Sequence, residues 1–99
     1  MENQHRLIKG YRELSQEEID LMNRIKIAEA QTLELVAEVR QHAVKQMVHS
    51  NDDDEAKRIA DANPIRWQSI ATSHIEQGFM ALVRAVAQPM PPRLEKDHD

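Results

Sequence analysis

Residues 15–47 read SQEEIDLMNRIKIAEAQTLELVAEVRQHAVKQM and carry the clearest structural signal in the chain. Ser15 and Glu18 have the spacing of a capping box, in which each residue's side chain accepts a hydrogen bond from the other's backbone amide. After this start, apolar or weakly polar residues recur every three or four positions, as on one face of a helix. The stripe comprises Leu21, Ile25, Ala28, Thr32, Leu35, Val39, Ala43 and Met47. The pattern predicts an α-helix of roughly 30 residues.

Residues 50–55, SNDDDE, interrupt this stripe. Their acidic run suits either a loop or the first turn of a following helix, and we interpret it as a turn region. A short helical segment is predicted over 55–62. Asn63 as N-cap and Pro64 at the first helical position then predict the start of another helix.

The last helix is predicted to run from Pro64 to about Ala87, because Pro89 and the prolines after it cannot continue a helix. One face is predicted to carry Ile75, Phe79, Leu82 and Val86. An adjoining strip carries small residues seven apart, Ala71, Gly78 and Ala85. Glycine inside a helix costs about 1 kcal/mol relative to alanine, so Gly78 predicts the close approach of another helix.

Together these patterns predict an all-α protein, a long antiparallel helical hairpin over residues 15–88. A short N-terminal segment, 1–14, precedes the hairpin, and residues 89–99 are predicted to be a disordered tail. A domain of 99 residues buries only about 60 to 65% of the surface that its unfolded chain exposes, so a partner subunit would help to stabilise it. Because the apolar stripe is also too broad for one neighbouring helix, we expect the hairpin to form a compact homo-oligomer.

Composition argues against several functional classes. The chain has no cysteine, which excludes disulfides and thiolate zinc sites, and its net charge of −4 argues against binding a DNA or RNA duplex. No stretch reaches the roughly 20 apolar residues of a membrane span, and no signal-peptide core is apparent. We therefore expect a cytoplasmic protein without a membrane partner, although a compact anionic ligand remains compatible with this charge.

No constellation of nucleophile, base and stabilising group can be assembled from the sequence. The five histidines never form a metal-binding HExxH motif, and residues 52–54 lack the glycine and glutamate of a calcium-binding loop. We interpret the histidines as surface or half-buried residues and the acidic run as solvated charge. The sequence thus predicts a binding protein that is not an enzyme and has no metal or cofactor.

The candidate binding residues lie near the N-terminus, in the run Lys9, Gly10, Tyr11 and Arg12, and at Lys26 one segment later. Tyr11 could stack on a nucleobase, and Lys26 could pair with a phosphate. From the residues alone, the opposite interpretation is favoured: Tyr11 packs on the helix and Lys26 faces water. Arg66, in the first turn of the last helix, could likewise hold an anion or simply be solvated.

Four segments resemble the phage anti-CBASS cyclic-nucleotide sponge family, which shares a helical hairpin domain with anti-Thoeris sponges. They are H-R-x-I-K-G-Y-R-x-L-S at 5–15, N-R-I-K at 23–26, R-W at 66–67 and Q-G-F-M-A-L-V-R-A-V-A-Q-P at 77–89. The match spans about residues 5–89, and the 77–89 block is its most specific part.

The resemblance implies a homohexamer that sequesters cyclic oligonucleotide second messengers, such as 3',3'-cyclic GMP-AMP, without cleaving them, in the cytoplasm of the infected bacterium. It implies that Tyr11 and Lys26 contact a cyclic dinucleotide in a pocket shared by two subunits, and we assign Gly10 and Arg12 to the same binding site. It also implies a separate cyclic trinucleotide site nearer the last helix, to which we assign Arg66 and Thr72.

The symmetry of the ligand agrees with this function. A cyclic dinucleotide has two bases and two phosphates, whereas one chain supplies one Tyr11 and one Lys26, so a two-fold interface supplies matching pairs. The alternative is a hairpin that only packs against another protein and binds no nucleotide. A nucleotide-cleaving enzyme and a nucleic-acid-binding regulator rank below these two.

Overall fold

The computed structural model describes residues 12–92 and 94 and has three helices there, α1 (Gln16–His49), α2 (Asp53–Ala62) and α3 (Pro64–Ala87). No strand occurs among these residues. The start of α3 lies beside the second half of α1, and its end lies beside the start of α1. The two long helices therefore form an antiparallel hairpin, and the all-α prediction is confirmed.

The capping box at the start of α1 is present. The Glu18 amide donates to the Ser15 hydroxyl (3.2 Å), and the Ser15 amide donates to the Glu18 carboxylate (2.8 Å). These bonds satisfy amides that have no partner within the helix. From this start α1 continues for 34 residues.

The connection after α1 is shorter than predicted. Asp52 is the N-cap of α2, and its carboxylate accepts from the Glu55 amide at 2.7 Å. Residues 53–55 therefore form the first turn of a helix, and the interpretation of the whole run 50–55 as a turn region was wrong. The physical reason is that carboxylates favour the N-terminal end of a helix, both as caps and through the helix dipole.

Asn63 joins α2 to α3 through its backbone. It adopts the left-handed conformation (φ 50°, ψ 59°), its amide donates to the Ile59 carbonyl at 2.9 Å, and its carbonyl accepts from the Trp67 amide at 3.3 Å. Its side chain makes no capping hydrogen bond. The predicted start of the helix at Pro64 is confirmed, but one residue in a left-handed conformation both ends α2 and begins α3.

Little of the described chain is buried. Only Ala43 and Ile59 are buried hydrophobic residues among those described. The radius of gyration is 21.2 Å, against about 13 Å for a compact domain of this length. Leu35 and Val39 of the predicted stripe are 60% and 50% exposed. The stripe is thus divided between a face that packs on α3 and a face that no described residue covers.

The packed face of α3 differs by one position from the prediction. Leu82 is 50% exposed, whereas its neighbour Val83 is half-buried and lines the groove toward α1. A side chain added at Gly78 would meet nothing within 4 Å. The close approach predicted at Gly78 therefore does not occur within the described part of the chain. Across the same residues, no helix has the length and apolar character required to cross a bilayer.

Candidate functional site

The predicted dinucleotide residues lie partly outside the described region. Gly10 and Tyr11 are outside the described residues, whereas Arg12 and Lys26 are within them. Lys26 is exposed on α1 and forms no ion pair with any other described residue. Its ammonium group is therefore available, as far as the described chain is concerned, to a phosphate.

Arg12 joins the start of the described chain to the end of α3. Its Nε donates to the Ala87 carbonyl at 3.0 Å, and its Nη2 donates to the Val86 carbonyl at 2.7 Å. Its Nη1 and Nη2 also donate to the two carboxylate oxygens of Glu18. We call this set, Arg12 with Glu18 and the carbonyls of Val86 and Ala87, the Arg12 anchor.

The Arg12 anchor supplies hydrogen-bond donors to backbone carbonyls at the end of α3. The last carbonyls of a helix have no partner within it, and the helix dipole makes that end negative. The Gln88 amide donates to the Arg84 carbonyl at 2.8 Å, and the planar guanidinium of Arg12 binds the carbonyls of Val86 and Ala87, the last two residues of α3. A guanidinium can do this because its donors project in a fixed fork.

Glu18 takes part in both the capping box of α1 and the Arg12 anchor. Its carboxylate accepts from the Ser15 amide in the capping box and from Arg12 in the anchor. The pKa of Glu18 is lowered from 4.5 to about 2, first by the hydrogen bonds from Arg12 and then by the one from Ser15. The start of α1 and the end of α3 therefore depend on one ionised side chain.

A cleft with a volume of about 460 Å³ runs between α1 and α3 from the Arg12 anchor. Ala87, whose carbonyl binds Arg12, lines one end of the cleft. Glu29 is its lining residue on α1, and Lys26 precedes Glu29 by three residues, a spacing at which helical side chains are neighbours. The wall on α3 and the residues after it comprises Phe79, Met80, Ala81, Val83, Arg84, Ala87 and Pro89.

The cleft combines apolar walls with a few charged groups. Phe79, Met80 and Val83 provide surface on which a flat ring could pack, whereas Arg84 and Lys26 could pair with an anion. Glu29 is half-buried and could accept hydrogen bonds from the edge of a base. We call residues 12–29 and 79–89, which surround the Arg12 anchor and this cleft, the open end of the hairpin.

The residues assigned to a trinucleotide lie on different faces of α3, about 120° apart around its axis. Arg66 is exposed, and its guanidinium carbon stands 5.7 Å from the centre of the Trp67 ring. Thr72 donates to the Gln68 carbonyl at 3.0 Å and accepts from the Gln68 side-chain amide at 2.8 Å. Six residues turn a helix by about 240°, so Arg66 and Thr72 of one chain do not face the same direction.

Sequence reasoning missed a hydrogen bond that crosses the hairpin at Gln68, the residue that Thr72 contacts. The Gln68 side-chain oxygen accepts from Nη1 of Arg40 on α1 at 3.2 Å, which connects Arg40 through Gln68 to Thr72. No local pattern marks Arg40, because its partner lies 28 residues away. We call residues 40–72, which contain this contact, α2 and Asn63, the turn end of the hairpin.

Sequence comparisons agree with the hairpin and extend beyond it. A family model described as "Acb2/Tad1, hairpin domain" matches residues 3–87. A similar protein, "Anti-CBASS protein 2" of Pseudomonas phage JBD67, is 46% identical over 105 residues, covering 90% of this chain and 97% of that relative. The family match covers the turn end and all of the open end except residues 88 and 89.

Proposed function

The chain belongs to the Acb2/Tad1 hairpin-domain family of anti-CBASS sponges, and from this membership we propose that it sequesters cyclic oligonucleotide second messengers. The ligands are cyclic dinucleotides such as 3',3'-cyclic GMP-AMP, together with cyclic trinucleotides. The protein holds them without cleavage in the cytoplasm of the infected bacterium. The effectors of the CBASS antiphage system then lack their activating signal.

The observation that carries this proposal is the arrangement of the open end. The Arg12 anchor fixes the residue after Tyr11 at one end of the cleft. Lys26, which has no ion-pair partner among residues 12–92, stands about one helical turn from Glu29 in the cleft lining. A phenol stacked on a base contributes about 1 to 3 kcal/mol, and an ammonium group neutralises a phosphate. Gly10 allows the backbone beside the phenol to approach the ligand closely.

A shared pocket completes this site. One chain supplies a single Tyr11 and a single Lys26, whereas a cyclic dinucleotide presents two bases and two phosphates, so two copies related by a two-fold axis match it. The uncovered apolar side chains support association, because Leu35, Val39 and Trp67 are each at least half exposed. We propose a homo-oligomer, and six copies is the number that the family resemblance implies.

Cyclic trinucleotides are assigned to the turn end. Arg66 and Thr72 diverge within one chain, so a site that uses both must combine Arg66 of one copy with Thr72 of another. The exposed Trp67 beside Arg66 provides a surface for stacking a base. This second site is proposed to be independent of Tyr11 and Lys26.

Calorimetric titration with 3',3'-cyclic GMP-AMP tests the dinucleotide site. The wild-type protein should bind, and Tyr11→Ala and Lys26→Ala should each weaken binding at least tenfold, as expected for a lost stacking or charged contact of about 1.4 kcal/mol or more. Arg66→Ala serves as the matched control and should leave dinucleotide affinity unchanged. Equal affinity of the wild type and both site variants would remove the assigned site.

Two further measurements distinguish a sponge from the alternatives. Heat denaturation of the complex should release the ligand intact, whereas a cyclic-nucleotide hydrolase would release linear products. Light scattering should give a mass that is a multiple of the 11.5 kDa chain. A stable single chain without affinity for any cyclic nucleotide would instead support the hairpin that only binds another protein.

A further inference from the structure

All three guanidinium nitrogens of Arg12 donate hydrogen bonds to other residues of the protein. Its Nε, Nη1 and Nη2 make four hydrogen bonds, two to the carbonyls of Val86 and Ala87 and two to the carboxylate of Glu18. A guanidinium has five N–H donors, so a single N–H remains for any other partner. A ligand phosphate would have to displace bonds that already satisfy a helix end and a carboxylate.

These contacts connect parts of the chain that are far apart in sequence. The bonds to Val86 and Ala87 span 74 and 75 residues. The Arg12 guanidinium is thereby held against the end of α3, next to the cleft that Ala87 and Glu29 line.

We propose that Arg12 is a positioning residue for cyclic dinucleotide binding, which acts by holding the adjacent Tyr11 at the cleft and not by touching the ligand. The inference rests on the proposed function. Consecutive Cα atoms lie about 3.8 Å apart, so fixing residue 12 restricts the region that the phenol of Tyr11 can reach. Ordering a binding segment before the ligand arrives reduces the entropic cost of binding and raises affinity.

A double-mutant cycle with 3',3'-cyclic GMP-AMP separates positioning from direct contact. Arg12→Ala should weaken binding about tenfold in the wild-type protein but no more than about twofold in a Tyr11→Ala background, because both substitutions remove the same contribution. A residue that contacts a phosphate by itself would lower affinity equally in both backgrounds. That result, or full affinity of Arg12→Ala, would overturn the proposal.

Conservative variants keep the test decisive if Arg12→Ala folds poorly. Arg12→Lys retains the charge but cannot reach the carbonyls and the carboxylate in one fork, so it should lose nearly as much affinity as Arg12→Ala. Glu18→Gln preserves a residue accepted in capping boxes while removing the charged partner of Arg12, and affinity should fall severalfold. Restoration of full affinity by Arg12→Lys, or no change in Glu18→Gln, would contradict the anchor.

The control is the other ion pair described in the chain, Arg58 with Glu55 on α2, which lies outside the open end. Arg58→Ala should leave dinucleotide affinity unchanged, and a loss equal to that of Arg12→Ala would mean that the effect is not specific to the anchor.

The outcomes of these titrations distinguish the positioning role of Arg12 from the proposed sponge function. If the wild type does not bind, the sponge function fails. If it binds through Tyr11 but Arg12 is dispensable, only the positioning role fails.

Discussion

The two ends of the hairpin are held together mainly by different kinds of interaction, although a hydrogen bond from Arg40 to Gln68 also crosses the turn end. At the turn end lie Ala43 and Ile59, 3% and 5% exposed, the buried hydrophobic residues of the described chain. At the open end, the Arg12 anchor joins the helices through hydrogen bonds and an ion pair. Apolar burial is not directional, whereas a guanidinium fork fixes its partners' positions. The comparison indicates that the turn end contributes mainly to stability, whereas the open end fixes the positions of the groups that it joins.

The largest expected effect is at the turn end. Ile59→Ala should lower the free energy of unfolding by about 2 to 5 kcal/mol, because it removes buried methyl groups and leaves a cavity. Ile59→Val should cost about 0.5 to 1.5 kcal/mol and serves as the graded control. Thermal and chemical denaturation measure both. Dinucleotide affinity of the folded protein should stay within about twofold of wild type, and a parallel loss of affinity would contradict the separation of the two ends.

Helix capping gives the next largest effect. Ser15→Ala should cost about 1 kcal/mol of stability, because the Glu18 amide loses its acceptor. The matched variant at the turn end is Ser50→Ala, whose hydroxyl only donates to the Met47 carbonyl at 3.2 Å. Water can replace that donor, so the cost should be smaller. An equal or larger loss at Ser50, measured by denaturant unfolding, would reverse the predicted order.

A smaller loss of stability is expected when the pH is lowered. The pKa of Glu18 is lowered to about 2 in the folded protein, so its contribution to stability is fully present above the ordinary value of 4.5 and disappears as the pH falls through about 2. Carboxyl NMR titration should give that midpoint for Glu18. Arg12→Ala should raise the pKa toward its ordinary value, while the Ser15 amide keeps it somewhat lowered. A wild-type midpoint near 4.5 would show that the anchor does not form.

The smallest effect is expected at the exposed ion pair of α2. Arg58 donates to both carboxylate oxygens of Glu55, at 2.6 and 3.0 Å, but the pair is local and solvated. Arg58→Ala should leave the free energy of unfolding nearly unchanged, as is typical for exposed pairs three residues apart on a helix. Denaturant unfolding at low and high salt measures this. A cost above that of Ser15→Ala would show that ion pairs stabilise both ends alike.

Local signals in the sequence predicted the helices well. The Ser15 capping box and Pro64 mark helix starts through contacts within a few residues, so both boundaries could be read directly. Asn63 was placed correctly as a cap, but its left-handed backbone was not predicted, because it arises from joining two helices without a linker. The Asp52 cap was missed, since an acidic run is compatible with both a loop and a first helical turn.

The candidate site could be predicted only in part. Lys26 is exposed and unpaired within the described chain, as a phosphate-binding residue must be, and this property followed from its position outside the apolar stripe. The Arg12 anchor could not be predicted, because its partners Val86 and Ala87 are more than 70 residues away and offer backbone carbonyls, which carry no side-chain signature. Periodicity likewise could not separate the face of α1 that packs on α3 from the uncovered face.

Hydrogen–deuterium exchange with and without 3',3'-cyclic GMP-AMP tests most directly whether the open end is the dinucleotide site. Peptides covering residues 12–29 and 79–88 should exchange more slowly with the ligand, while peptides covering 43–65 should be unaffected. Tyr11→Ala should abolish the protection. Protection restricted to residues 40–72, or none at a ligand concentration that saturates binding, would contradict the account.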